Sequence, residues 1–137
     1  MRIFIDTNVL LDYVQAERPN NEIAKILFEL INKNHLEPYV STQSVIDMVY
    51  VLSKIDKVKT MVFVNYLLNN ANVRPIDCFS LRIALNSGHP DFEDSAQLAC
   101  AEDEECDVFL TSDAGILARE VDTMLVMTPG QFLDRMR

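Results

Sequence analysis

Glycine is scarce in this chain: Gly88, Gly115 and Gly130 are its only three. They stand too far apart to form the turn of a dinucleotide site, a phosphate-cradling P-loop or the GxSxG elbow of a serine hydrolase. Histidine is scarcer still, with His35 and His89 isolated from each other and from cysteine. A zinc site is therefore not expected. The cysteines number three, Cys78, Cys100 and Cys106, with no CxxC spacing. An odd count, with two thiols among apolar neighbours, reads as the reduced and mostly buried cysteines of a cytoplasmic protein. No apolar run approaches the roughly 18 residues of a membrane span. No signal peptide is expected either, because Asp6 follows Ile3-Phe4-Ile5 at once and Asp12 breaks the next apolar run. Positive charge is also short: 12 Lys and Arg stand against 21 Asp and Glu, for a net charge of −9. Bulk charge cannot hold a polyanion here, so nucleic-acid binding requires a local basic patch or bound cations.

What is present is an ordinary globular composition. Apolar residues make up 49% and charged residues 24% of 137, enough for one domain, residues 1–137, with a real core. Short apolar runs alternate with helical patterns. Ile3-Phe4-Ile5 reads as a buried strand, followed by polar Asp6-Thr7-Asn8 and the start of a helix. Ile23, Ile26, Leu27, Leu30 and Ile31 form the stripe of an amphipathic helix. Pro38–Ser41 predicts a second strand. Helices are expected from about Thr42 to Ser53, apolar nearly all round, and from about Val58 to Asn70. Val73-Arg74-Pro75-Ile76 predicts a third strand at an edge, since Pro75 cannot donate to a ladder. Asp77 opens a helix through Leu85, and a second runs from Phe92 to Glu102. Val108–Leu110 and Met124–Met127 complete the strands, and Pro129 begins a closing helix through Phe132 and Leu133. Nothing repeats, and no linker divides the chain. The alternation predicts one α/β domain with a largely parallel sheet and helices on both faces.

Sites in such sheets form beyond the C-terminal strand ends. Asp6 falls there after the first strand and Asp113 after the fourth. Asp94 begins the helix that leads into the fourth strand and so opens toward the same edge. Asp47 stands alone in Val45-Ile46-Asp47-Met48-Val49-Tyr50-Val51, where a carboxylate is costly unless wet, hydrogen-bonded or bound to a cation. Each acid has an ordinary explanation. Asp6 and Asn8 suit a helix start, Asp91 with Asp94 resembles a capping box, Asp113 suits a turn, and Asp47 suits a wet helix face. Convergence weighs against these readings: three acids from separate segments reach one edge, a fourth interrupts a greasy helix, and no Lys or Arg sits among them. Hard divalent cations explain such a gathering, and without histidine or cysteine the fitting ions are Mg²⁺ or Mn²⁺. Their natural chemistry is in-line phosphoryl transfer, with water activated on one side and the leaving oxygen stabilised on the other.

Ile5-Asp6-Thr7-Asn8-Val9-Leu10-Leu11-Asp12, Phe92-Glu93-Asp94-Ser95-Ala96 and Thr111-Ser112-Asp113 together resemble the PIN domain family. Thr128-Pro129-Gly130-Gln131-Phe132-Leu133 also looks like that family, so the resemblance covers nearly the whole chain, and the DTNVLLD start is its most specific piece. The resemblance implies a three-layer α/β/α sandwich with about five strands and a metal-dependent ribonuclease. It also implies an RNA substrate and a VapC-like role as the toxin of a toxin–antitoxin pair, with a cognate antitoxin. By the same resemblance the metal-binding acids are Asp6, Asp47, Asp94 and Asp113, while Asn8 and Thr111 orient carboxylates or water. One departure matters: toxin-like members often carry Glu where Asp47 stands, one methylene shorter. Glu93 can compensate, though it also suits the first turn of a helix.

The other charged features have plainer readings. Lys54, Lys57 and Lys59 sit between two helices, where RNA contact and a solvated loop compete. Glu102-Asp103-Glu104-Glu105 reads as an exposed helix end, Asp77 as a helix cap and Asp12 as a surface residue. Leu27, Leu30, Met48 and Leu52 are expected to offer greasy surface to a homodimer. Two rival functions stand beside the nuclease. A phosphoacceptor receiver would need paired acids after the first strand and a lysine after the fifth, and both are missing. A catalytically inactive PIN-like module that binds RNA or protein is the more serious alternative.

Overall fold

The computed structural model describes residues 1–136, so only Arg137 of the expected domain lies outside it. The chain alternates strands and helices: β1 (Arg2–Ile5), α1 (Thr7–Val14), α2 (Asn21–Lys33), β2 (Glu37–Ser41), α3 (Thr42–Leu52), α4 (Lys57–Asn70) and β3 (Asn72–Arg74) form the first half. The second half is α5 (Cys78–Asn86), α6 (Phe92–Asp103), β4 (Val108–Leu110), α7 (Ala114–Leu117), β5 (Leu125–Met127) and α8 (Pro129–Arg135). The five strands form one parallel sheet in the order β3-β2-β1-β4-β5. β3 is an edge strand as expected, but it ends at Arg74, before Pro75 can interrupt pairing.

The pleat of β1 divides the core. Ile3 and Ile5 face a cluster built with Val9 and Leu10 of α1, Leu27 and Ile31 of α2, Met48 and Leu52 of α3, and Phe63 and Leu67 of α4. Phe4 points to the other side, stacks on Phe109 at 5.1 Å between ring centroids, and packs with Leu98 of α6 and Ile116 of α7. Helices therefore cover both faces of the sheet, which is the predicted three-layer architecture. Burying Phe4 alone contributes roughly 1.5–3 kcal/mol.

Two expectations fail on burial. Leu27, Met48 and Leu52 are fully enclosed and offer no dimer surface, while Leu30 is half-buried against the same cluster. A helix apolar nearly all round shows no preferred face in sequence, and packing decides which residues go inside. Instead Ile46 and Tyr50 of α3, Val58 and Val62 of α4, and Phe79 and Leu85 of α5 are exposed. Asp12 is the second correction: it is buried and paired with Arg18 at 2.7 Å, rather than on the surface. Its arginine lies six residues on, across a bend that helical spacing does not anticipate. Asp77 does cap α5, accepting from the Ser80 N–H. Cys100 and Cys106 are buried, with both thiols pushed up to about 12 by burial first, whereas Cys78 is exposed. Among the described residues no helix is long and apolar enough to cross a membrane.

Candidate active site

Strand order reverses at β1, whose chain continues toward β2 on one side while β4 lies on the other. That switch point opens a crevice above the carboxyl ends of β1 and β4. A cleft of about 590 Å³ lies there, and five carboxylates line it: Asp6, Asp47, Glu93, Asp94 and Asp113. Leu11, Ile76, Leu81 and Phe92 form its apolar wall, and neither Lys nor Arg is among its lining residues. The acids that the sequence singles out thus share one cleft.

Asp6 leaves β1 as the N-cap of α1, so its ordinary reading and its place in the cleft are both true. Its Oδ1 accepts from the Thr7 N–H at 2.9 Å and from Gln97 Nε2 at 3.1 Å. Its Oδ2 accepts from Thr111 Oγ1 at 2.8 Å and Asn8 Nδ2 at 3.2 Å. Burial nonetheless raises its pKa, outweighing the hydrogen bonds from Thr111, Gln97 and Thr7, and the nearby Asp113 pushes the same way. Thr111 is fully buried, and its Oγ1 also receives the Asp113 N–H at 3.0 Å. Asn8 and Thr111 therefore touch the acids they were expected to orient.

Asp94 is relieved of the capping role. The N-cap of α6 is Asp91, whose Oδ1 accepts the Asp94 N–H at 3.0 Å. The Asp94 carboxyl is left facing other acids, and its pKa is pushed up to about 6, by burial first and then by Asp113, Asp91 and Asp6. Asp113 caps the four-residue helix α7 through Ile116 N–H at 3.0 Å. That helix escapes sequence reading because one turn is too short to show a period. Asp47 is half-buried on α3, where Gln43 Nε2 donates to it at 2.9 Å. Glu93 is exposed in the first turn of α6 and lines the cleft as well.

The donor set fits a hard divalent cation: carboxylate oxygens only, a surplus of negative charge, and one carboxyl, Asp94, whose pKa is raised by burial and then by the neighbouring acids. Among the described residues no three His, Cys, Asp or Glu close into a ready-made metal cage, so the acids are gathered rather than drawn together.

Sequence reading missed the polar floor of this cleft. Gln97, Ser41 and Ser44 are buried and hydrogen-bonded to one another beneath Asp6. A signal existed, the same one that marked Asp47: Gln97 is the only strongly polar residue in Ala96-Gln97-Leu98-Ala99-Cys100-Ala101. Arg119 carries no pattern in sequence either. Its guanidinium reaches Ser95 Oγ at 2.8 Å and the Asp91 carbonyl at 3.3 Å, tying the segment after α7 to the first turn of α6.

Comparison with known proteins follows the same lines. The sequence pattern of the PIN domain family matches residues 2–115. Ribonuclease VapC1 of Aquifex aeolicus strain VF5 is 24% identical over 139 residues, covering 98% of this chain and 94% of that protein. The crystal structure of VapC20 of Mycobacterium tuberculosis, a toxin that cleaves the sarcin-ricin loop, has the same fold with a TM-score of 0.72 at 14% identity. That likeness covers 90% of this chain and 98% of VapC20. A toxin–antitoxin complex from Klebsiella pneumoniae matches with a TM-score of 0.67 at 19% identity, over 93% of this chain and 97% of that one.

Proposed function

The chain belongs to the PIN domain family, and on that premise we propose that it is a divalent-metal-dependent ribonuclease, the toxin of a toxin–antitoxin pair in the cytoplasm. The observation that carries this reading is the cleft at the sheet's switch point, lined by five carboxylates and no basic side chain. A relative bearing the name ribonuclease supports it. Asp6, Asp94 and Asp113, completed by Asp47 or Glu93, are the residues that would hold Mg²⁺ or Mn²⁺, and such an ion supplies Lewis-acid chemistry toward a phosphodiester. The chain's own residues do the rest. Asn8 and Thr111 fix the plane of the Asp6 carboxylate, Thr111 steadies the backbone that carries Asp113, and the apolar wall limits water around a bound RNA strand.

The test is cleavage of single-stranded or loop RNA by purified protein. Millimolar Mg²⁺ or Mn²⁺ should support it and chelator should abolish it. Cleavage that persists undiminished in chelator overturns the metal reading. The rival is a non-catalytic binding module. RNA binding without turnover in either metal would select that rival.

Gly115 offers a finer check. A Cβ there would meet Asp113 Oδ1 at 3.0 Å, the same oxygen that caps α7. Gly115→Ala should leave stability nearly unchanged, because the gain of about 0.5–1 kcal/mol from Gly→Ala in a helix offsets a weakened cap. Cleavage should fall several-fold as the carboxylate swings aside. An unaltered rate would show that the place of Asp113 does not matter.

Protein partners follow from the exposed apolar side chains on α3, α4 and α5, more than a surface of solvated helices needs. We expect a homodimer in the absence of antitoxin. Light scattering should give twice the 15.6 kDa chain mass, and a monomer throughout the micromolar range would remove the claim.

A further inference from the structure

We propose that Gln97 is a further positioning residue of the acid cleft, beside Asn8 and Thr111: its buried amide clamps Asp6 to α3 and so helps set how tightly the cleft holds a divalent cation. The proposal rests on the metal-dependent reading above and extends it to a residue outside the acid set. Gln97 is 7% exposed, and both ends of its amide are engaged. Nε2 donates to Asp6 Oδ1 at 3.1 Å and to Ser44 Oγ at 2.7 Å, while Oε1 accepts from Ser41 Oγ at 2.5 Å. An amide with its acceptor and both donors satisfied cannot flip without breaking all three bonds. Ser44 is held in turn by Thr7 Oγ1 at 2.7 Å, and its own N–H donates to Ser41 Oγ at 3.0 Å.

This network joins three of the four segments that carry the cleft's acids, all but that of Asp113. Gln97 lies three residues after Asp94 on α6, and Ser44 lies three residues before Asp47 on α3, so each shares a helix face with an acid. The bond between Gln97 and Ser44 thereby couples the two helices, and the bond to Asp6 ties both to the end of β1. Like charges gathered without a cation repel one another, and something other than their own attraction must keep Asp6 in register. A neutral donor that cannot turn away does this without neutralising the charge that a cation needs. Partners that orient a metal ligand in this manner typically change metal affinity by about 10–100-fold when removed.

The experiment is calorimetric titration of Mn²⁺ into the parent, Gln97→Met and Ser44→Ala, with melting curves in chelator. Methionine keeps the length of Gln97 and removes its donors; Ser44→Ala leaves Gln97 on Asp6 with one anchor fewer. We expect Mn²⁺ to bind Gln97→Met at least about tenfold more weakly and Ser44→Ala several-fold more weakly. A purely structural role would instead lower both melting curves in chelator and leave the affinity of folded protein unchanged. Folded Gln97→Met with parental affinity overturns the proposal. Should that variant fail to fold, parental affinity in Ser44→Ala overturns it. If the parent itself binds no Mn²⁺, the metal reading fails separately, and crystal structures judge the clamp alone. An Asp6 carboxylate displaced by more than about 0.5 Å in Gln97→Met upholds positioning, and one left in place refutes it.

Discussion

Asp6→Asn should abolish RNA cleavage, by at least about a hundredfold, without unfolding the protein. Asp6 is the acid on which the others converge: it accepts four hydrogen bonds and stands at the carboxyl end of the central strand. Asparagine is as good an N-cap as aspartate, so α1 keeps its start through the Thr7 N–H. The oxygen that remains can still take Gln97 Nε2, and the Thr111 hydroxyl can turn to accept from the new NH₂ group, so that only the 3.2 Å bond from Asn8 Nδ2 is lost. Removing a buried charge, whose pKa burial already raises, also lifts a desolvation cost. Melting in chelator should therefore be equal to or above the parent, while turnover is lost. Cleavage at the parental rate in a folded Asp6→Asn protein would make the proposed mechanism wrong.

Asp94→Asn should stabilise the protein in chelator and destabilise it, relative to the parent, in metal. The first half follows from a carboxyl pushed up from an ordinary 3.8 to about 6 by burial, Asp113, Asp91 and Asp6. A raised folded pKa means that the native state binds more protons than the unfolded one between those values. The contribution is fully present below about 3.8 and lost as pH rises through about 6. In chelator, then, parental stability should fall across that window relative to the variant, and the advantage of Asp94→Asn should be largest at neutral pH. The second half follows from mass action. An ion that binds only folded protein adds about 2.7 kcal/mol at a hundred times its Kd, and the variant, lacking one ligand, should gain much less. Asp91 remains in place to cap α6, so a lost cap cannot mimic either effect. Four melting curves at low salt, parent and variant in chelator and in millimolar Mn²⁺, check both signs. Equal gains from metal in the two proteins would remove Asp94 from the ligand set.

The strands, most of the helices and the gathering of Asp6, Asp94 and Asp113 could be read from the residues alone. Local rules govern these features: a strand announces itself by an apolar run, a parallel sheet by alternation with helices, and a site by the acids that follow strand ends. Local rules also account for the caps, since Asp6, Asp77, Asp91 and Asp113 each bond an N–H within three residues of themselves. What spans the sequence was not legible. Gln97 meets Asp6 across 91 residues and Ser41 across 56, and no periodicity links such positions. The inward turn of Leu27, Met48 and Leu52, and the outward turn of Ile46 and Tyr50, depended on which face of an apolar helix its neighbours would cover. Composition and spacing therefore determined the elements, their alternation and the acids at the sheet edge. Tertiary structure decided which apolar faces stayed wet, which acid was paired away with arginine, and which neutral amide holds the central carboxylate, because each depends on contacts between segments far apart in the chain.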